Sequence, residues 1–233
     1  MMVNKLRCCQ WIALSCLITA AVVFSKHHDN IVVIAGNPAN DIVDIINKNR
    51  TSQSLSQLNN SPGLGCIALQ YVEQCKGNCS RNNTLSCRPL EVDFTEIFAP
   101  NCGVELPTFG TLSGHIVGCQ HKYLKPSEAF SHLLVRDKRS LSLLRNKTHT
   151  EVGVGLIGSY KHKGPYFWCV LFSDSQANST FALEDLGQGI KQKKGCYSGT
   201  SFSCSWGHKN RGVYLNNIWP IGVYCFYVII LLH

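Results

Sequence analysis

The sequence predicts an α+β fold in which helices pack on a small antiparallel sheet braced by disulfides. Three observations carry this expectation. Apolar residues recur at helical spacing in residues 37–46, 66–75 and 126–144. Two later segments, residues 152–156 and 166–172, carry strand patterns instead. Eight cysteines lie within residues 26–203: Cys66, Cys75, Cys79, Cys87, Cys102, Cys119, Cys169 and Cys196. In an oxidising compartment an even set reads as up to four disulfides.

The N-terminus is read first. Lys5 and Arg7 form a basic start, residues 11–24 are apolar, and Ser25 offers a small residue for cleavage. This is the order of a signal peptide, here residues 1–25. The apolar run falls short of the roughly 20 residues that span a bilayer. Asn37-Pro38 then reads as a capped helix start, with Ile42, Val43, Ile45 and Ile46 on one face. Residues 60–65 form a turn-rich break. A second helix is expected over 66–75, with Ala68, Val72 and Cys75 on one face and Ile67 and Tyr71 beside it.

Residues 76–89 are polar and rich in cysteine, so they read as a disulfide-held loop. Residues 94–98 suggest a helical turn, and residues 103–118, rich in glycine, read as irregular. A third helix is expected over 126–144, with Phe130, Leu133, Leu134, Leu141 and Leu144 on its apolar side. Val152, Val154 and Leu156 then alternate with Gly153 and Gly155, a strand whose glycines admit close packing. Residues 159–165 read as a turn, and the continuous apolar run 166–172 as a strand covered on both faces. The two strands form a hairpin.

Ser203-Cys204-Ser205 is a triplet of small residues, followed by a polar spacer and an apolar tail at residues 218–232. That pattern signals a glycosylphosphatidylinositol (GPI) anchor. A transmembrane helix is the rival, but the tail holds Pro220 and Gly222 and has no Lys or Arg beyond it. A buried C-terminal strand is the third alternative. The expected segments are thus a signal peptide at 1–25, an extracellular domain at 26–203 and an attachment signal at 204–233. Attachment at Ser203 removes Cys204 and keeps the cysteine count even. Attachment at Ser205 leaves an odd thiol, and Cys196 and Cys204 are also spaced to pair with each other.

Lys5, Arg7, Lys209 and Arg211 fall outside these cuts while all 14 acidic residues lie inside, so the formal charge drops from +8 to about +4. A mild excess suits an anionic cell surface or wall. Nucleic-acid binding calls for clustered basic faces. The groups Arg136/Lys138/Arg139 and Lys191/Lys193/Lys194 read as solvated surface. Asn-X-Ser/Thr sequons at Asn49, Asn78, Asn82, Asn146 and Asn178 are glycosylation candidates.

Thr150-Glu151-Val152-Gly153-Val154-Gly155, preceded by helices and followed by Tyr166-Phe167-Trp168, resembles the CAP superfamily of cysteine-rich secretory proteins. It is closer still to a plant family of small GPI-anchored proteins with a divergent domain of this sort, some labelled "ferredoxin-like". The resemblance covers residues 41–172 and implies a CAP-like α-β-α sandwich at the plasma membrane.

The departures bear on chemistry. The family's G-E-N segment is absent, Thr148 stands where a histidine is usual with His149 one place off, and Asp137-Lys138-Arg139 replaces G-H-R. His132 lies two turns earlier. The metal-binding tetrad is therefore largely lost, and His132 and His149 read as surface or structural. Cys75, Cys79 and Cys87 lack iron–sulfur spacing, so no cofactor is expected. No nucleophile elbow, H-E-x-x-H or phosphate loop occurs.

The expected function is a non-catalytic cell-surface glycoprotein with a binding or structural role. The expected partners are the membrane and a wall component or small hydrophobic ligand, with no nucleic acid. Alternatives are a sterol-binding protein, with Tyr166, Phe167 and Trp168 lining the site, and a divergent hydrolase or metal-dependent enzyme.

Overall fold

A computed structural model describes residues 36–105, 110–158, 164–174, 180–183, 195–201 and Cys204. The signal peptide, Asn178, Ser203 and the apolar tail lie outside the described residues.

Helix α1, Pro38–Thr51, starts where Asn37 Oδ1 accepts the Ala39 N–H at 3.0 Å. It buries Ala39, Ile42, Val43 and Ile46. Strand β1 is Asn59–Asn60. Helix α2, Pro62–Gln74, begins four residues before its expected start, because Ser61 caps it and Pro62 fits the first turn. Every residue from Gly63 to Val72 is buried, so α2 is an interior helix.

A helical segment follows as α3 (Glu91–Asp93), a π-turn (Phe94–Phe98) and α4 (Ala99–Cys102). Strand β2 is Leu112–Gln120, β3 is Glu151–Ile157, β4 is Tyr166–Ser173 and β5 is Cys196–Tyr197.

The sheet order is β1-β3-β4-β2, with β5 also paired to β3. The predicted hairpin is present: β3 and β4 are antiparallel, from Glu151 opposite Ser173 to Ile157 opposite Phe167. The sheet is mixed rather than purely antiparallel, since β1 runs parallel to β3. In the chain β1 lies between α1 and α2, which pack on opposite faces of the sheet.

Helices cover both faces. On one, α2 packs with Phe98 and Cys102 against Cys119, Phe167, Cys169 and Leu171. On the other, α1 packs with Leu133, Leu134 and Leu144 against Val152, Val154, Leu156, Trp168, Val170 and Phe172. Gly153 and Gly155 explain the closeness of α2: a Cβ on Gly155 would lie 2.3 Å from Leu69 N, and one on Gly153 2.3 Å from Gly65 N.

Three further expectations need correction. Residues 112–118 are strand, not irregular: Gly118 and Gly114 are there because Leu133 and Leu143 fill the space a Cβ would take. The third helix is broken. It comprises α5 (Pro126–Glu128), a π-turn (Ala129–Leu134) and α6 (Lys138–Leu144). Val135 leaves helical geometry, and Asp137 Oδ1 accepts the Ser140 N–H at 2.7 Å to start α6 afresh.

The third correction concerns cysteines. The disulfides are Cys66–Cys102, Cys75–Cys87, Cys79–Cys119 and Cys196–Cys204. Cys169, a disulfide candidate by sequence, is a free buried thiol. It faces α2, whereas Cys196 belongs to the core on the α1 face, so the sheet itself separates them.

Candidate functional site

A cleft of about 750 Å³ opens where the segment leading into α3 faces the start of β2. Its walls come from distant parts of the chain. Tyr71 projects from α2, Leu171 from β4, Phe94 from the π-turn, and Leu112, Ser113 and His115 from β2. Arg88, Glu91, Thr95 and Thr111 add further polar groups to its lining.

Several contacts fix these walls. Asp93 Oδ2 accepts the Leu90 N–H at 2.9 Å and Gln74 Nε2 at 3.1 Å, tying the segment to the end of α2. Cys75–Cys87 ties the loop before the cleft to the same helix end. Tyr71 contacts Phe94 and His115 at ring-centroid distances of 5.9 and 5.6 Å. The register of β2 against β4 shifts between Leu112 and Gly114, so a bulge at Ser113 reshapes the wall.

Two titratable groups of the inner wall, His115 and Tyr71, are held in their neutral forms. Burial, with Arg139 and Arg88 nearby, holds the His115 imidazole below its usual pKa, so it is neutral at pH 7. Burial, with a smaller push from Cys169, raises the Tyr71 phenol to about 12. Ser113 Oγ is buried with no hydrogen-bond partner among the described residues, so Ser113 and His115 are not hydrogen-bonded as nucleophile and base. The cleft can therefore hold an apolar body against Tyr71, Phe94 and Leu171 while Arg88, Glu91 and Thr95 meet polar groups. Leu90, Val92 and Ile97 are exposed on the same helical segment.

The sequence-derived candidates lie elsewhere. Asn78 and Asn82 are exposed in the disulfide-held loop. Asn49 is half-buried, its Oδ1 accepting Gln53 Nε2 at 2.8 Å. Asn146 is also half-buried, its Nδ2 donating to His149 Nε2 at 3.3 Å. His149 is interior, stacked on Phe172 at 4.9 Å, and burial followed by Arg50 lowers its pKa. His132 is exposed and contacts Ser131 Oγ.

Glu151 of the T-E-V-G-V-G strand accepts Thr180 Oγ1 at 2.6 Å. Cys75, Cys79 and Cys87 are all consumed by disulfides. No group of three or more metal-ligating side chains occurs among the described residues. Tyr166, Phe167 and Trp168 are interior, at most 4% exposed.

Sequence reasoning missed His115 and the cleft. The alternation of His115, Val117 and Cys119 toward the α2 face was the available signal, hidden among glycines. Compared with known proteins, the chain matches no family model and no curated protein.

Proposed function

We propose that this chain is a lipid-anchored glycoprotein of the outer cell surface whose domain is a non-catalytic binding module, a divergent relative of the CAP domain. The cleft carries the binding reading. Its volume of about 750 Å³ lies within the roughly 300–1,000 Å³ usual for ligand sites. Its mixed lining, apolar at Tyr71, Phe94 and Leu171 and polar at Arg88, Glu91 and Thr95, suits a small ligand with an apolar body and one polar end, of which a sterol is the leading case. The four disulfides and the exposed Asn78 and Asn82 support a secreted, glycosylated domain.

The test titrates the oxidised protein with the fluorescent sterol dehydroergosterol. Saturable binding, lost in Leu112→Arg with the fold intact by circular dichroism, is expected. No binding of this sterol would sink the sterol reading, and unchanged binding in the variant would move the site out of the cleft. Release of the protein from intact cells by phosphatidylinositol-specific phospholipase C is the expected result for its anchoring.

A further inference from the structure

Residues 195–201 and Cys204 are built into the domain. Strand β5 pairs with β3, Tyr197 opposite Gly155 and Cys196 opposite Leu156. Ser198 N–H donates to Val154 O at 2.9 Å, and Val154 N–H donates to Ser198 Oγ at 2.9 Å. The start of α1 holds the same segment. Asn37 Nδ2 donates to Tyr197 O at 2.8 Å, Asn40 Nδ2 to Thr200 O at 2.8 Å, and Gly199 N–H to Asn40 Oδ1 at 2.9 Å. The clasp closes at Cys204, whose sulfur is bonded to Cys196 and whose N–H donates to Gly36 O at 3.4 Å.

This clasp conflicts with lipid attachment at Ser203. Cleavage there would remove Cys204 and leave Cys169 and Cys196 as the two unpaired thiols. They cannot compensate by pairing, because Cys169 faces the α2 core and Cys196 the α1 core across the sheet. Keeping Cys204 leaves four disulfides and one thiol, Cys169, sealed inside the protein. An even cysteine count is therefore the wrong criterion for locating the attachment residue; the faces on which the cysteines lie decide it.

We infer that the processed chain retains Cys204 and that the lipid is attached at Ser205, the first small residue after it. The inference rests on the lipid-anchor reading above. The step is a transamidation. The amide between Ser205 and Trp206 breaks, and a new amide forms between the Ser205 carbonyl carbon and the terminal amine of a preformed ethanolamine-bearing glycolipid. The proton lost by that amine ends on the freed amine of Trp206, which leaves with the tail, and no oxidant or reductant is needed. Gly207 supplies a small residue two places beyond the site, although Trp206 between them is large.

The test expresses the full chain in plant cells, releases it with phosphatidylinositol-specific phospholipase C and digests it with trypsin without reduction. Cleavage after Lys194 places Cys196 and Cys204 in one C-terminal peptide. The expected peptide ends at Ser205, carries the ethanolamine remnant there, and gains two hydrogens on reduction. Ser205→Leu is expected to abolish release, and Ser203→Leu to leave it unchanged. A remnant on Ser203, or on any residue other than Ser205, overturns the assignment. If the wild-type chain reaches the surface and the phospholipase frees none of it, the anchor reading itself has failed and the assignment falls with it.

Discussion

Replacing Gly155 by alanine tests the packing on which the whole domain rests. The added Cβ would sit 2.3 Å from Leu69 N and 2.4 Å from the Ala68 carbonyl carbon, whereas ordinary contact begins at 3.4 Å. Helix α2 must therefore retreat by about 1 Å. It is buried along ten residues and tied at Cys66 and Cys75, so retreat opens gaps elsewhere. Overpacking costs about 1–3 kcal/mol, and backbone atoms, which cannot rotate away, place this case near 3. Exchange of glycine for alanine in a strand works the other way, by up to about 1 kcal/mol. The net loss is about 2 kcal/mol, or about 4–8 °C in unfolding midpoint for a domain of this size. Thermal unfolding of the oxidised protein, followed by circular dichroism, measures it. Gly114→Ala is the control: its Cβ meets only the Leu143 Cδ2 methyl, which can swing aside, so a smaller shift is expected. An unchanged or raised midpoint in Gly155→Ala would refute the direct seating of α2 on β3.

Further outcomes follow from single groups. Arg50 is 1% exposed, and its guanidinium donates to Ser56 O, Leu144 O and Asn146 O at 2.9, 2.8 and 2.9 Å. Arg50→Met strands these acceptors and should cost about 3 kcal/mol in denaturant unfolding, with Arg50→Lys recovering only part. Burial, then Arg139 and Arg88 for His115 and Arg50 for His149, holds both imidazoles below the usual 6.5. The unfolded chain then binds protons that the folded chain refuses, so stability is full above pH 6.5 and falls as pH drops through that value toward the lowered folded pKa values. An unfolding midpoint that does not fall on acidification, or a slope unchanged in the His115→Gln/His149→Gln double variant, would contradict this. Iodoacetamide should leave native Cys169 unmodified and label it on unfolding without reduction; labelling in the native state would mean that β4 is not sealed by α2.

Local signals in the sequence were reliable where they depended on near neighbours. Asn37-Pro38 marks the start of α1, because a cap and its first turn are set within a few residues. The alternation at 152–156 and the apolar run at 166–172 locate β3 and β4 for the same reason. Glycine was ambiguous. Gly153 and Gly155 sit in a clean alternation and reveal close packing, while Gly114 and Gly118 interrupt a pattern whose partners, Leu143 and Leu133, are distant in sequence. Asp137 could have signalled the break before α6, since capping residues favour helix starts over helix interiors.

The sequence by itself determined the start of α1, the β3–β4 hairpin and the disulfide-held loop, all consequences of short-range periodicity, capping and composition. Only the tertiary structure decided which cysteines pair, that Cys169 stays free, and that Tyr71, Phe94, His115 and Leu171 enclose one cleft. The reason is geometric. Pairing depends on which face of the sheet each sulfur occupies, and the cleft depends on bringing four separate segments together, neither of which is encoded in the spacing of neighbours along the chain.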